Sequence, residues 1–431
     1  MEPKSGNDKN SKISEDGRKN FYSWANYKPD FQERPSYLNQ VVKNSSATGI
    51  FLGIEYIVCL LVTVSSFTDY WNDRDRFNTF WSICLQSVQG TYPHGLTAFT
   101  FLFFWACVKW SLVKFMGTTA RYLILELAWM STLFIGSTYF ATKESVGVTL
   151  RIVIGCETVR CGMKGWSLAA ETRKLTRDGR ATLGEFIYFL FAPTLIFRKN
   201  YPQTRFIRWK KVALYFAISF IQVISGFKIL AGVVWPQMLL VAKDTSHLYE
   251  PRTFILMLAS SGLVIPMMWF FHFHLWQNLW AELLRFSDRQ FYGPWWNSHH
   301  SSSLLKDWNP LIHIFIKEYL AKPLSKTGIG FKERFLLISI VSGLAHDFIF
   351  SFIVKRSCFI CTTTYFGGLL VNFMSGKEVT KPILQMMTVL IPGLYVHYLS
   401  YQQALEEIHD DKNLAHQQTF HFQDVYISNL N

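Results

Sequence analysis

The chain reads as an all-α, polytopic membrane protein with about nine transmembrane helices, and three observations point there. Half of its 431 residues are hydrophobic and 17% are aromatic. The apolar residues gather in blocks of roughly 17–25, the length that crosses a ~30 Å hydrocarbon layer. The basic residues gather in alternate loops, as the positive-inside rule expects.

In chain order, residues 1–46 are polar, rich in Lys, Asp, Asn and Ser, and are expected to form a disordered cytosolic segment. No apolar h-region follows the start, so the first span would serve as the insertion signal. The expected spans are 47–67, 96–115, 122–141, 147–169, 212–235, 254–283, 335–354, 359–374 and 383–401. The fourth contains Arg151, Glu157, Arg160 and Lys164, so it is either a helix facing a polar interior or no span at all. The sixth is longer than the rest and is expected to bend at Pro266. Residues 47–403 thus form one multi-span unit, and 404–431 a lumenal tail.

Charge orients these spans. Arg18, Lys28 and Arg34 precede span one, Arg173 to Lys210 supply the loop after span four, and Arg285 to Arg334 the loop after span six. The intervening loops hold few cations, with Lys355 and Arg356 the exception. This pattern predicts a cytosolic N-terminus and a lumenal C-terminus. The net charge of +13 follows from the asymmetry and suits anionic headgroups or a phosphorylated cytosolic substrate. Nucleic acid is a poor partner, since no soluble domain is left over to bind it.

Of the seven cysteines, Cys358 and Cys361 form a Cys-x-x-Cys on the expected lumenal side, where either a disulfide or two inert thiols fits. Neither His272 with His274 nor His299 with His300 completes a zinc site with them, and no metal is expected.

Two places carry chemistry. His346 lies inside 335–354, a stretch otherwise apolar, flanked by Ser342, Gly343 and Ala345. An ionisable group in hydrocarbon is costly and is by default a functional hypothesis; the alternative is a buried histidine bonded to a neighbouring helix. Its ordinary pKa of ~6.5 suits a general base. The second place is the loop after span six, Phe291-Tyr292-Gly293-Pro294-Trp295-Trp296-Asn297, followed by Trp308-Asn309-Pro310 and His313. Interfacial aromatics are ordinary membrane anchors. Asn before Pro is also an ordinary helix N-cap, with His313 one turn later on the same face.

Together these residues resemble a family. Phe291 to Asn297, with Phe286-Ser287-Asp288-Arg289 before it, is similar to the Phe-Tyr-x-Asp-Trp-Trp-Asn signature of membrane-bound O-acyltransferases. The branch is the one holding sterol and diacylglycerol O-acyltransferases. Tyr188 to Leu195, Tyr201-Pro202, Trp308-Asn309 and His346 fit in the same order, and the resemblance covers roughly 185–402. Leu195 to Arg198, Arg208-Trp209, Phe366 to Phe373 and Tyr398 to Gln402 resemble the sterol enzymes, whereas Tyr319 to Leu324 leans to the diacylglycerol enzymes. Pro294 departs from the signature's Asp, and Asp347 stands where relatives often have Glu.

The resemblance implies a helical fold enclosing an intramembrane reaction chamber in the endoplasmic reticulum. It implies an acyl-CoA co-substrate, no cofactor, and a sterol or other lipid acceptor, with diacylglycerol as the alternative. His346 would be the base, kept neutral by burial, and Asn309 the oxyanion donor. The substrate-binding set it implies is Tyr292, Trp295, Trp296, Asn297, Arg285, Arg289, His313 and Glu282, with the loop lining the coenzyme A entrance. A homo-oligomer remains open. A transporter with an intramembrane histidine is the reading from another class, but the paired repeats it would favour are not evident.

Overall fold

A computed structural model describes residues 31–38, 57–65, 72–88, 91–116, 120–295, 301–363 and 393–405, leaving aside positions 58, 73, 144, 173, 174, 360 and 403. Among them the architecture is helical, and extended backbone pairs only as isolated bridges. The first helices are α1 (Arg74–Ser87), α2 (Leu96–Met116), α3 (Ala120–Ala141), α4 (Val148–Thr172) and α5 (Leu183–Phe191). Two long helices follow, α6 (Trp209–Lys243) and α7 (Pro251–Leu283). Then come α8 (Ser301–Trp308), α9 (Pro310–Ile316), a π turn (Lys317–Ala321), α10 (Lys322–Ser325) and α11 (Phe331–Ile353).

Five segments among the described residues are long and apolar enough to cross a membrane: Tyr92–Met116, Ile124–Ala141, α6, α7 and Lys332–Ile353. They coincide with the second, third, fifth, sixth and seventh expected spans. Much of the first, eighth and ninth lies outside the described residues and the fourth carries four charged residues, so five of the nine expected spans are seen as apolar membrane-length helices. The protein is a multi-pass membrane protein.

The ambiguous fourth stretch is a helix. α4 packs against α2, α3 and α11. Its polar residues face the protein: Arg151 and Lys164 are only 6% and 2% exposed. Lys164 Nζ donates to the carbonyls of Phe189, Leu190 and Ala192 at 2.5, 2.9 and 2.7 Å, and Arg160 adds a bond to Leu190 O at 2.6 Å. The last carbonyls of α5 have no partners within the helix, so these cations cap it. Gly165 allows the close approach to α3, where a Cβ would lie 2.7 Å from Trp129 Cη2. α2 and α3 are joined by reciprocal indole bonds, Trp105 Nε1 to Trp129 O at 2.9 Å and Trp129 Nε1 to Trp105 O at 2.8 Å. The buried ion pair Lys109–Glu126 lies beside them.

In α7, Pro266 withholds a backbone donor and the helix continues, widening into a π turn at Phe271–Trp276. That turn packs on α6. Cys358 and Cys361 are separate thiols, with Cys358 Sγ 2.8 Å from the Tyr395 hydroxyl.

Within the segment expected to be disordered, residues 31–38 make contacts through apolar and charged side chains. Phe31 packs edge-on to Tyr201 and Phe286, with ring centroids 5.1 and 6.1 Å apart, and Leu38 is buried.

Candidate active site

The signature segment begins where α7 ends. Arg285 takes a left-handed conformation (φ 59°), turning the chain out of the helix. Short extended pieces then pair with it from two sides. Thr204 N donates to Arg285 O at 2.8 Å and Ser287 N to Pro202 O at 3.0 Å; opposite them, Arg34 N donates to Ser287 O at 3.1 Å. Arg285 Nε donates to Thr204 O at 2.7 Å.

Glu282, fully buried, holds the base of this segment. It accepts from Arg208 N, Nε and Nη2 at 3.0, 2.7 and 2.8 Å, and it pairs with Arg289 Nη1. A buried carboxylate is tolerable only when so compensated. Tyr292 is also fully enclosed, its hydroxyl 2.7 Å from His274 Nδ1. Glu282, Arg289 and Tyr292 are therefore internal supports. All three belong to the expected substrate-binding set; here the segment turns these side chains inward, where ion pairing and aromatic packing use them. Trp296 and Asn297 lie outside the described residues.

Trp295 carries the segment to Asn309. Its ring meets Trp269 and Trp308 edge-on, with centroids 5.3 and 4.8 Å apart. Trp269 Nε1 donates to Trp308 O at 3.3 Å, and Gly293 N donates to Asp307 O at 2.8 Å. At Gly293 a Cβ would lie 2.7 Å from Asp307 Oδ1, so the contact calls for glycine. The backbone leading into α9 is thus held at Asp307 by the signature and at Trp308 by Trp269.

Asn309 is the N-cap of α9 and Pro310 its first residue; Asn309 Oδ1 accepts from Ile312 N at 3.2 Å. That bond fixes the side-chain amide, because the NH₂ must point away from the capped amide. His313 follows on α9. Burial first, and then the nearby Lys306 and Lys317, push it down to about 4, so it is neutral at physiological pH. Lys317 is lowered to about 8 by burial and then by Lys322.

His346 is on α11, which packs against the Lys317–Ala321 turn and α10, the continuation of the Asn309 helix. Its Nδ1 lies 2.7 Å from Ser342 O. A carbonyl can only accept, so Nδ1 carries the proton and, in the neutral ring, Nε2 carries the lone pair. His346 is exposed on the protein, contrary to the burial expected. Helical geometry explains this: the neighbouring Asp347 takes the buried face, and the next residue is rotated away from it. Asp347, 2% exposed, accepts from Cys361 N at 2.7 Å and Thr362 N at 2.9 Å. Those bonds and the close approach of Gly343 to Thr362 fix the rotation of α11 and hence the aim of the imidazole.

Two supports were missed in the sequence. One is His274, whose signal in the sequence is an ionisable group inside span six. The other is Arg34, which in the sequence reads as a topological charge, and nothing local announces its partner Asp288.

Part of this chain is similar to known proteins. Residues 181–391 match the family model described as "MBOAT, membrane-bound O-acyltransferase family". The chain is 31% identical to sterol O-acyltransferase 2 of Homo sapiens over 283 residues, covering 62% of this chain and 53% of that protein. It is 29% identical to sterol O-acyltransferase 1 of Mus musculus over 269 residues, covering 58% and 49% respectively. The chain spans about half the length of the curated relatives it matches. The signature, the capped asparagine and the histidine all lie within residues 181–391, which carry the membrane-bound O-acyltransferase domain.

Proposed function

We propose that the protein transfers a long-chain fatty acyl group from acyl-CoA to the hydroxyl of a sterol, forming a steryl ester. The observation that carries the chemistry is the pair of locked side chains: His346 with Nδ1 bonded to Ser342 O, and Asn309 with Oδ1 bonded to Ile312 N. Each bond consumes the atom that catalysis does not need. His346 Nε2 takes the proton of the acceptor hydroxyl as its oxygen attacks the thioester carbonyl. The tetrahedral oxyanion accepts a hydrogen bond from the Asn309 amide. Collapse breaks the C–S bond, and the departing thiolate of coenzyme A recovers the proton from His346. No acyl-enzyme is required, since a thioester is already activated.

The names of the relatives support a sterol as acceptor. An apolar acceptor and acyl chain would reach His346 from the bilayer, and coenzyme A would stay at the basic cytosolic face near Arg285, Lys306 and Lys317. In this reading 47–403 is the catalytic unit, placed in the endoplasmic reticulum with its N-terminus cytosolic.

The test is acyl transfer from labelled oleoyl-CoA in membranes, with cholesterol and diacylglycerol offered separately. Steryl ester from wild type, lost in His346→Ala, is the expected result. Triacylglycerol instead would overturn the acceptor and keep the mechanism. No product with either, from folded protein, would sink the proposal.

A further inference from the structure

We infer that residues 31–38 are a strap that positions the signature segment, with Arg34 acting through Asp288 on Tyr292. The kinetic part of this inference rests on the acyl-transfer reading; the structural part does not.

The strap is bonded along the segment it covers. Arg34 N donates to Ser287 O at 3.1 Å and Arg289 N donates to Arg34 O at 2.8 Å, one rung of parallel pairing. The Arg34 side chain forms a fork on Asp288, Nε to Oδ1 at 2.8 Å and Nη2 to Oδ2 at 2.7 Å, and Nη1 reaches Gln290 Oε1 at 3.0 Å. A planar, bidentate pair fixes direction as well as distance, which lysine cannot reproduce. Two residues further on, Ser36 is fully buried, its Oγ 3.4 Å from both the Tyr292 hydroxyl and His274 Nδ1. Leu38 joins the apolar cluster of Phe286, Phe291 and Tyr292.

The Arg34 guanidinium is about a third exposed, whereas Asp288 is buried. Removing Arg34 therefore leaves Asp288 buried and short of its cation, and the segment must shift to hydrate it. A shift there is transmitted toward Asn309 by the Trp295–Trp308 contact and the Gly293–Asp307 bond. Arg34 touches no reacting atom; it is a positioning residue.

The test uses the full chain in lipid nanodiscs, comparing wild type, Arg34→Ala, Arg34→Lys and the reversed pair Arg34→Asp with Asp288→Arg. Backbone hydrogen exchange is read over 286–292, beside initial rates against acyl-CoA concentration. Arg34→Ala should speed exchange there and lower kcat/KM about 10- to 100-fold, at a matched thermal midpoint. Arg34→Lys should recover little, and the reversed pair should recover most of both. Unchanged exchange over 286–292 in Arg34→Ala overturns the inference, as does faster exchange with unchanged kcat/KM. A wild type that transfers no acyl group defeats the proposed function, and the exchange arm then decides whether the strap holds the segment.

Discussion

In Asn309→Asp the side chain keeps an oxygen to accept from the Ile312 amide, now at 3.2 Å, and loses its NH₂. A carboxylate at a helix N-terminus caps at least as well as an amide, so stability should hold or rise slightly. Asn309→Ala loses the cap as well, which costs about 1 kcal/mol. Catalysis should rank differently. Removing one oxyanion donor costs about 2.7–4 kcal/mol, a loss of about 10²–10³ in kcat, and the aspartate adds a negative charge facing the developing one. Asp should therefore be as inactive as Ala while being the more stable of the two. The assay pairs thermal unfolding in detergent with single-turnover transfer from labelled oleoyl-CoA. An active, stable Asn309→Asp would refute the donor role and leave Asn309 as a helix cap alone.

Three further outcomes are expected. His346→Gln retains shape but cannot act as the base, and should lower kcat about 10²- to 10⁴-fold while acyl-CoA binding in a filter assay is retained. Glu282→Gln breaks the buried cluster with Arg208 and Arg289, and about 3–5 kcal/mol of lost stability should appear as a lower midpoint in a thermofluor assay. The third concerns pH. His313 titrates at about 4 when folded and at its ordinary 6.5 when unfolded, so its contribution is complete above 6.5 and is lost as pH falls toward 4. The full difference is about 3 kcal/mol, and His313→Gln should flatten that acid limb of a midpoint-versus-pH curve.

Much of this was legible in the chain itself. Apolar runs of membrane length and their basic flanks identified five helices now seen, because burial in hydrocarbon leaves a composition that needs no neighbours to be read. The Asn309-Pro310 cap was legible for the same reason: capping is a contact between residues three apart. Family motifs brought out His346 and the signature. What the sequence could not reveal depends on pairs distant in the chain. Whether Arg160 and Lys164 face lipid or protein was decided by the carbonyls of α5, some thirty residues on. Arg34 and Asp288 are 254 residues apart, and nothing near either predicts the fork between them. The inward turn of Glu282, Arg289 and Tyr292, and the outward turn of His346, likewise follow from which neighbour occupies the buried face. Local physics thus set the helices, their caps and the candidate reactive groups, while tertiary packing decided which of those groups support the fold and which remain aimed outward.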